Sequence, residues 1–140
     1  MPEAGCKVLV VEDEEGWLQN HEKNLRKQGI EDIITADNAA EAIALMKTQK
    51  PTGVVTDGLY GFWTKIAEKG QELGIPVALI SAVDEEHEED VMMSCELRGA
   101  SFLNKEKIDL SNQESSREFY GQLIQRLGGE AGVGKEARRG

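Results

Sequence analysis

The sequence has only two cysteines, Cys6 and Cys95, far apart and without a C-x-x-C spacing. A disulfide framework is therefore excluded, and both thiols are expected to act as small buried hydrophobes in a reducing compartment. Positive charge is scarce too. With 16 Lys and Arg against 26 Asp and Glu, the formal net charge is −10, which disfavours diffuse attraction to nucleic acid or anionic lipid and favours a basic partner or a bound cation. No apolar run approaches the roughly 20 residues of a membrane-spanning helix. Nothing at Met1 to Gly5 resembles a signal peptide, so the expectation is a soluble, cytoplasmic protein. The loop after the first apolar run, VEDEEG, lacks the Gly- or Ser/Thr-rich composition that a flavin or dinucleotide phosphate needs, and its acids repel a bare phosphate. Neither His21 nor His87 has metal-ligand partners in the pattern, and both read as structural or solvated.

The feature around which the chain is organised is VVTDG, Val54 to Gly58. It is an apolar run that stops at a carboxylate, Asp57, as a buried parallel strand stops at the edge where open α/β sheets place their chemistry. Lys7 to Val11 ends in the same way at Glu12 and Asp13. Between and beyond these, the pattern predicts strands at Asp32 to Thr35, Pro76 to Ser81 and Ser101 to Asn104. Helices are predicted over about Glu15 to Gln28 with Gly29 as C-cap, from an Asn38 cap to before Pro51, and from Phe62 to about Glu72 with Phe62, Trp63, Ile66 and Ala67 as its apolar residues. A fourth runs from the acidic stretch Asp84 to Asp90 through Val91, Met92, Cys95 and Leu97, and a fifth from Ser116 to Leu127. Five strands alternating with five helices call for one α/β domain over residues 1–127: a doubly wound five-stranded parallel sheet in the flavodoxin-like order 2-1-3-4-5, with helices on both faces. Residues 128–140, with five glycines in thirteen positions, are expected to form a flexible tail.

That strand order gathers Glu12, Asp13, Asp57, Ser81 and Lys105 at one crevice. Three neighbouring carboxylates repel one another unless a hard cation joins them, and Mg²⁺ is the natural candidate because it takes oxygen ligands and keeps positions open for phosphate oxygens. A Lys ammonium and a Ser hydroxyl converging there can offset the charge of a phosphoryl group, and a carboxylate can attack phosphorus to give an acyl phosphate. Asp57, on the central strand, is the candidate nucleophile. Both tryptophans, Trp17 and Trp63, are expected beside this crevice.

This set of residues, together with FLNK ending the fifth strand, resembles the receiver domain of bacterial two-component response regulators over about Lys7 to Leu127. The resemblance implies that Asp57 accepts a phosphoryl group from a histidine kinase or phosphotransfer protein. It further implies that Glu12, Asp13, Asp57 and the backbone carbonyl of Leu59 hold Mg²⁺, that Ser81 hydrogen-bonds and Lys105 pairs with the phosphoryl group, and that Phe102 is a switch residue that changes rotamer as Ser81 moves. Such a protein catalyses only its own phosphorylation and dephosphorylation. It signals by protein contact through the face made by the fourth helix, fifth strand and fifth helix, without nucleic acid or membrane, and no output domain is expected after the fifth helix. The alternative is a pseudo-receiver, an interaction module that is not phosphorylated. The chain departs from the family in three places. GLYGFWTK replaces the usual Met-Pro segment after the acceptor, the step from Asp57 to Ser81 is a few residues short, and Glu106 rather than proline follows Lys105. Leu59 and Val83 are expected to flank the path of a hydrolytic water, and their apolar character implies a long-lived phosphorylated state.

Overall fold

The computed structural model of the chain describes residues 6–109 and 111–127. The Gly-rich stretch at 128–140 lies outside the described residues. Five short runs rich in Val, Ile and Leu form β1 (Lys7–Val11), β2 (Asp32–Ala36), β3 (Gly53–Thr56), β4 (Val77–Ser81) and β5 (Ser101–Asn104). They pair in the order β2-β1-β3-β4-β5, every neighbour parallel. Between them run α1 (Glu15–Lys27), α2 (Ala39–Gln49), α3 (Trp63–Leu73) and α4 (Glu85–Leu97), with α5 (Gln113–Arg126) closing the series.

Because successive strand residues point to opposite faces, each strand feeds two cores. Leu9, Val11, Val54, Val77 and Leu79 pack with Met46, Ile66 and Cys95 on the side of α2, α3 and α4. Val8, Val10, Val55, Ala78 and Ile80 pack with Leu25, Phe119 and Leu123 on the side of α1 and α5. The doubly wound expectation is met.

Helix starts follow their caps. Asn38 accepts the Glu41 N–H at 2.8 Å, and Asn112 accepts those of Glu114 and Ser115 at 2.9 and 3.1 Å. The Asn112 cap draws the start of α5 forward to Gln113, ahead of the expected Ser116. Asp84, not Ser81, caps α4, accepting the His87 N–H at 3.2 Å and meeting the His87 ring at 2.7 Å; that side-chain hydrogen bond holds the Asp84 carboxyl below its ordinary value. At the other end of α1, Gly29 takes φ +99°, the reversal that glycine permits.

Three expectations about packing are corrected. Phe62 is 59% exposed while Trp63 is buried, because a 3₁₀ turn at Leu59–Gly61 shifts the phase on which α3 begins. On α4 only Cys95 is fully buried, and Met92, Met93 and Leu97 are exposed. Cys6 is half-buried rather than buried.

Candidate functional site: an acidic cleft at the carboxyl edge of the sheet

Strand register places the acids. Val11 is paired with Thr56, so the next residue on each strand, Glu12 and Asp57, leaves the sheet side by side. The Asp57 N–H donates to the Val11 carbonyl at 2.9 Å and the Glu12 N–H to the Ala36 carbonyl at 3.1 Å, which fixes both backbones. Glu12, Asp13 and Asp57 each bring a carboxylate oxygen into a group whose members all lie within 4.8 Å of one another. Glu12 is buried, Asp57 half-buried and Asp13 exposed.

Lys105 follows β5 and reaches back across the edge. Its Nζ lies 3.1 Å from Asp57 Oδ1 and 3.3 Å from Glu12 Oε1. The Trp17 ring, with its centroid 4.4 Å from that ammonium, walls it off from solvent and adds a cation–π attraction. One ammonium against three carboxylates leaves the site strongly anionic. Hard oxygen donors with an uncompensated negative charge are what a divalent cation such as Mg²⁺ requires, so the residues present fit the ion.

Asp57, Ser81 and Lys105 line one open cleft of about 440 Å³, together with Glu14, Trp17 and Ala82. Ser81 ends β4, and a Cβ on Gly58 would stand 3.2 Å from the Ser81 Oγ. Glycine at 58 thus leaves the hydroxyl room beside the acid. Phe102, paired with Leu79 across β4 and β5, is half-buried against the core of the α2, α3 and α4 side.

The segment after Asp57 is unusual. Leu59, Tyr60 and Gly61 all have positive φ, at 49°, 56° and 94°, and for the two residues with a Cβ this backbone costs about 1–2 kcal/mol each. The turn is held by the Gly61 N–H on the Gly58 carbonyl at 2.9 Å and the Phe62 N–H on the Leu59 carbonyl at 3.0 Å. A carbonyl has two lone pairs, so the Leu59 oxygen keeps acceptor capacity. The Leu59 side chain is 6% exposed and packs in the core. It therefore lines no water path, contrary to the expectation. Trp63 likewise packs in that core beneath the Arg98 guanidinium instead of lining the cleft.

Four residues at the site were not expected there from sequence, His21 among them having been read only as structural or solvated. Asn104, 6% exposed, accepts the Val83 and Glu106 N–H groups at 3.1 and 3.0 Å and donates to the Val83 carbonyl at 2.7 Å. It ties the loop after β4 to the turn that carries Lys105, where every peptide is trans, and so fixes the backbone at the position where proline is missing. His21, Tyr120 and Asn20 form a buried chain behind Glu12. The His21 Nε2 lies 3.3 Å from Glu12 Oε1, its Nδ1 2.7 Å from the Tyr120 hydroxyl, and that hydroxyl accepts from Asn20 Nδ2 at 3.0 Å. Burial, together with the Glu12 charge, pushes the Tyr120 hydroxyl well above its ordinary value, against the opposing pull of the Asn20 hydrogen bond. The signal in the sequence was a histidine on the inward stripe of the first helix, with no visible partner.

No family profile matches the chain. In sequence it is 33% identical over 103 residues to the alkaline phosphatase synthesis transcriptional regulatory protein PhoP of Bacillus subtilis, a match covering 71% of this chain and 42% of PhoP. The chain thus spans less than half the length of that relative. Its structure resembles the signal receiver domain of the putative response regulator NarL from Mycobacterium tuberculosis, with a TM-score of 0.68 and 22% identity over 86% of this chain and 96% of that one. Against the chemotaxis protein CheY4 of Vibrio cholerae the TM-score is 0.66, with 19% identity over 89% and 99%. The five-stranded doubly wound sheet with acids at its carboxyl edge is the receiver fold. The sequence likeness to PhoP adds to that fold, so the chain is similar to response-regulator receiver domains in structure and to a transcriptional regulatory protein in sequence.

Proposed function

We propose that the chain is a phosphoacceptor switch of a two-component or phosphorelay system, with Asp57 as the residue phosphorylated. The observation that carries this reading is the Lys105 ammonium bridging Asp57 and Glu12 inside a cluster of three carboxylate oxygens able to receive a cation. An Asp57 oxygen attacks the phosphorus of a phosphohistidine on a kinase or phosphotransfer protein. The P–N bond breaks, its electron pair returns to the imidazole nitrogen, and an acyl phosphate remains on Asp57. Glu12, Asp13, Asp57 and the Leu59 carbonyl would hold Mg²⁺, which would supply positive charge against the phosphoryl oxygens. Lys105 pairs with the phosphoryl group, and the Ser81 hydroxyl, which lines the same cleft, donates a hydrogen bond to it. Phe102, on β5 and packed against the core of the α2, α3 and α4 side, relays the change.

Output runs through protein contact on the face of α4, β5 and α5. The exposed Met92, Met93 and Leu97 on α4 support this, since apolar side chains on a helix rich in acids offer a contact surface. A net charge of −10 disfavours nucleic acid as the target. Among the described residues no helix is long and apolar enough to cross a membrane, in keeping with a cytoplasmic setting.

The second reading, an unphosphorylated pseudo-receiver, is favoured by one observation. The Leu59 carbonyl already accepts the Phe62 N–H within a left-handed turn, which leaves it one lone pair for an ion and sets its direction by that turn. Incubation with acetyl phosphate and Mg²⁺, followed by intact mass, separates the two. A single phosphoryl adduct that disappears in Asp57→Asn supports the switch, and no adduct on the parent supports the pseudo-receiver.

A further inference from the structure

Phosphoryl transfer as described makes no use of the polar chain behind Glu12. It crosses the layer between α1 and α5, where Leu25, Phe119 and Leu123 otherwise make an apolar core. His21 is 1% exposed and Tyr120 0%, so each polar atom must find a partner or carry the penalty of an unsatisfied buried group. The available partners determine where the protons sit. Asn20 Nδ2 can only donate to the Tyr120 oxygen, at 3.0 Å. The Tyr120 hydroxyl hydrogen then has one acceptor in reach, His21 Nδ1 at 2.7 Å. An imidazole that accepts at Nδ1 carries its hydrogen on Nε2, and Nε2 faces Glu12 Oε1 at 3.3 Å. A doubly protonated ring would leave the Tyr120 hydroxyl hydrogen buried with no acceptor. Every donor along Asn20, Tyr120, His21 and Glu12 is matched in one arrangement only.

Glu12 is the end of that chain, and a glutamate has one more side-chain torsion to fix than an aspartate. Its Oε1 receives His21 and Lys105 Nζ, both at 3.3 Å, and its Oε2 receives the Glu14 N–H at 3.4 Å. Of these donors, Lys105 also serves Asp57 at 3.1 Å, and it is the one that must turn to the phosphoryl group. His21 has no other duty. We propose that His21 is a positioning residue: locked as the neutral Nε2–H tautomer by Tyr120 and Asn20, it holds the Glu12 carboxylate in place as a ligand for the divalent cation. This rests on the reading of the acidic cluster as a cation site. Partners that orient a ligand in this way typically change metal affinity 10–100-fold when removed.

The test has three arms on the full chain. Proton–nitrogen correlation spectra of the metal-free protein should show His21 protonated on Nε2 alone, and a proton on Nδ1 overturns the proposal. Mg²⁺ titration followed by the fluorescence of Trp17, whose ring lies 5.4 Å from that of His21, gives apparent dissociation constants. His21→Leu should weaken Mg²⁺ binding roughly 10–100-fold, and His21→Gln, whose amide nitrogen can donate to Glu12, should recover most of the loss. Equal affinity in His21→Leu and the parent, with only the thermal midpoint lowered, reduces His21 to a core residue and overturns the proposal. Tyr120→Phe makes the same comparison without touching the imidazole: it should release Nδ1, let the second tautomer appear and weaken Mg²⁺ in the same direction. A parent that binds no Mg²⁺ overturns the cation-site reading itself and this proposal with it.

Discussion

Lys105 is held between two carboxylates, with its side chain 8% exposed and the Glu12 side chain 1% exposed. Replacing it by methionine keeps the stem and removes the ammonium. The expected result is phosphorylation slowed by about 10²-fold or more, since a charge aimed at a developing anion is typically worth that much; stopped-flow or mass-resolved time courses with acetyl phosphate would measure it. Cys95 gives a second prediction at this scale. Burial pushes its thiol from 9.0 up to about 11, against a smaller opposing pull from Arg98. The folded state therefore holds this proton more tightly than the unfolded chain, so its contribution to stability is complete below about pH 9 and is lost as pH rises towards 11. Denaturation midpoints at pH 8 and pH 10.5 should fall further apart in the parent than in Cys95→Ala. Run-ending acids were legible in the sequence because a carboxylate after a buried strand has few innocent explanations. His21 was not, because its partners, Glu12 and Tyr120, are joined to it only by packing α1 against α5.

The strands were legible as apolar runs, and β1 and β5 fall on their expected residues. What periodicity missed lies where tertiary structure sets the phase. The left-handed turn over Leu59 to Gly61 carries two residues that rarely adopt such a backbone. No local signal announces it, and it is what turns Phe62 out and Trp63 in. On α4, Met92 stands three residues before the buried Cys95 yet faces solvent, as does Leu97, which hydrophobic pattern alone cannot distinguish from a core stripe. The crossing of α3 over β4 is tight by contrast. A Cβ on Gly70 would lie 2.5 Å from Val77 Cγ2 and 2.7 Å from the Ile75 carbonyl. Gly70→Ala should therefore destabilise the fold by about 1–3 kcal/mol despite alanine's better helix propensity, read as a lower denaturant midpoint with an unchanged slope. A midpoint at or above the parent's would show that α3 can shift away from the sheet.

For the whole molecule, the order of the strands matters more than any one of them. Two crossovers leave β1 and β3 adjacent at the point where the chain reverses its winding, and acids from two separate stretches of sequence meet there. Net charge and cleft charge have the same sign, so the folded state gains from a cation that the unfolded chain does not bind. Mg²⁺ should raise the thermal midpoint of the parent by mass action, and Asp13→Asn should flatten that response. The central claim, a phosphoryl group on Asp57, is open to a direct chemical test. An acyl phosphate is reduced by borohydride to the corresponding alcohol, so an aspartyl phosphate becomes homoserine at the modified position. After treatment with acetyl phosphate and Mg²⁺, reduction and peptide mapping should find homoserine at position 57 and at none of the other acids. Homoserine at Asp13, the longer alcohol 5-hydroxynorvaline at Glu12, or no reduced residue at any position would contradict the account.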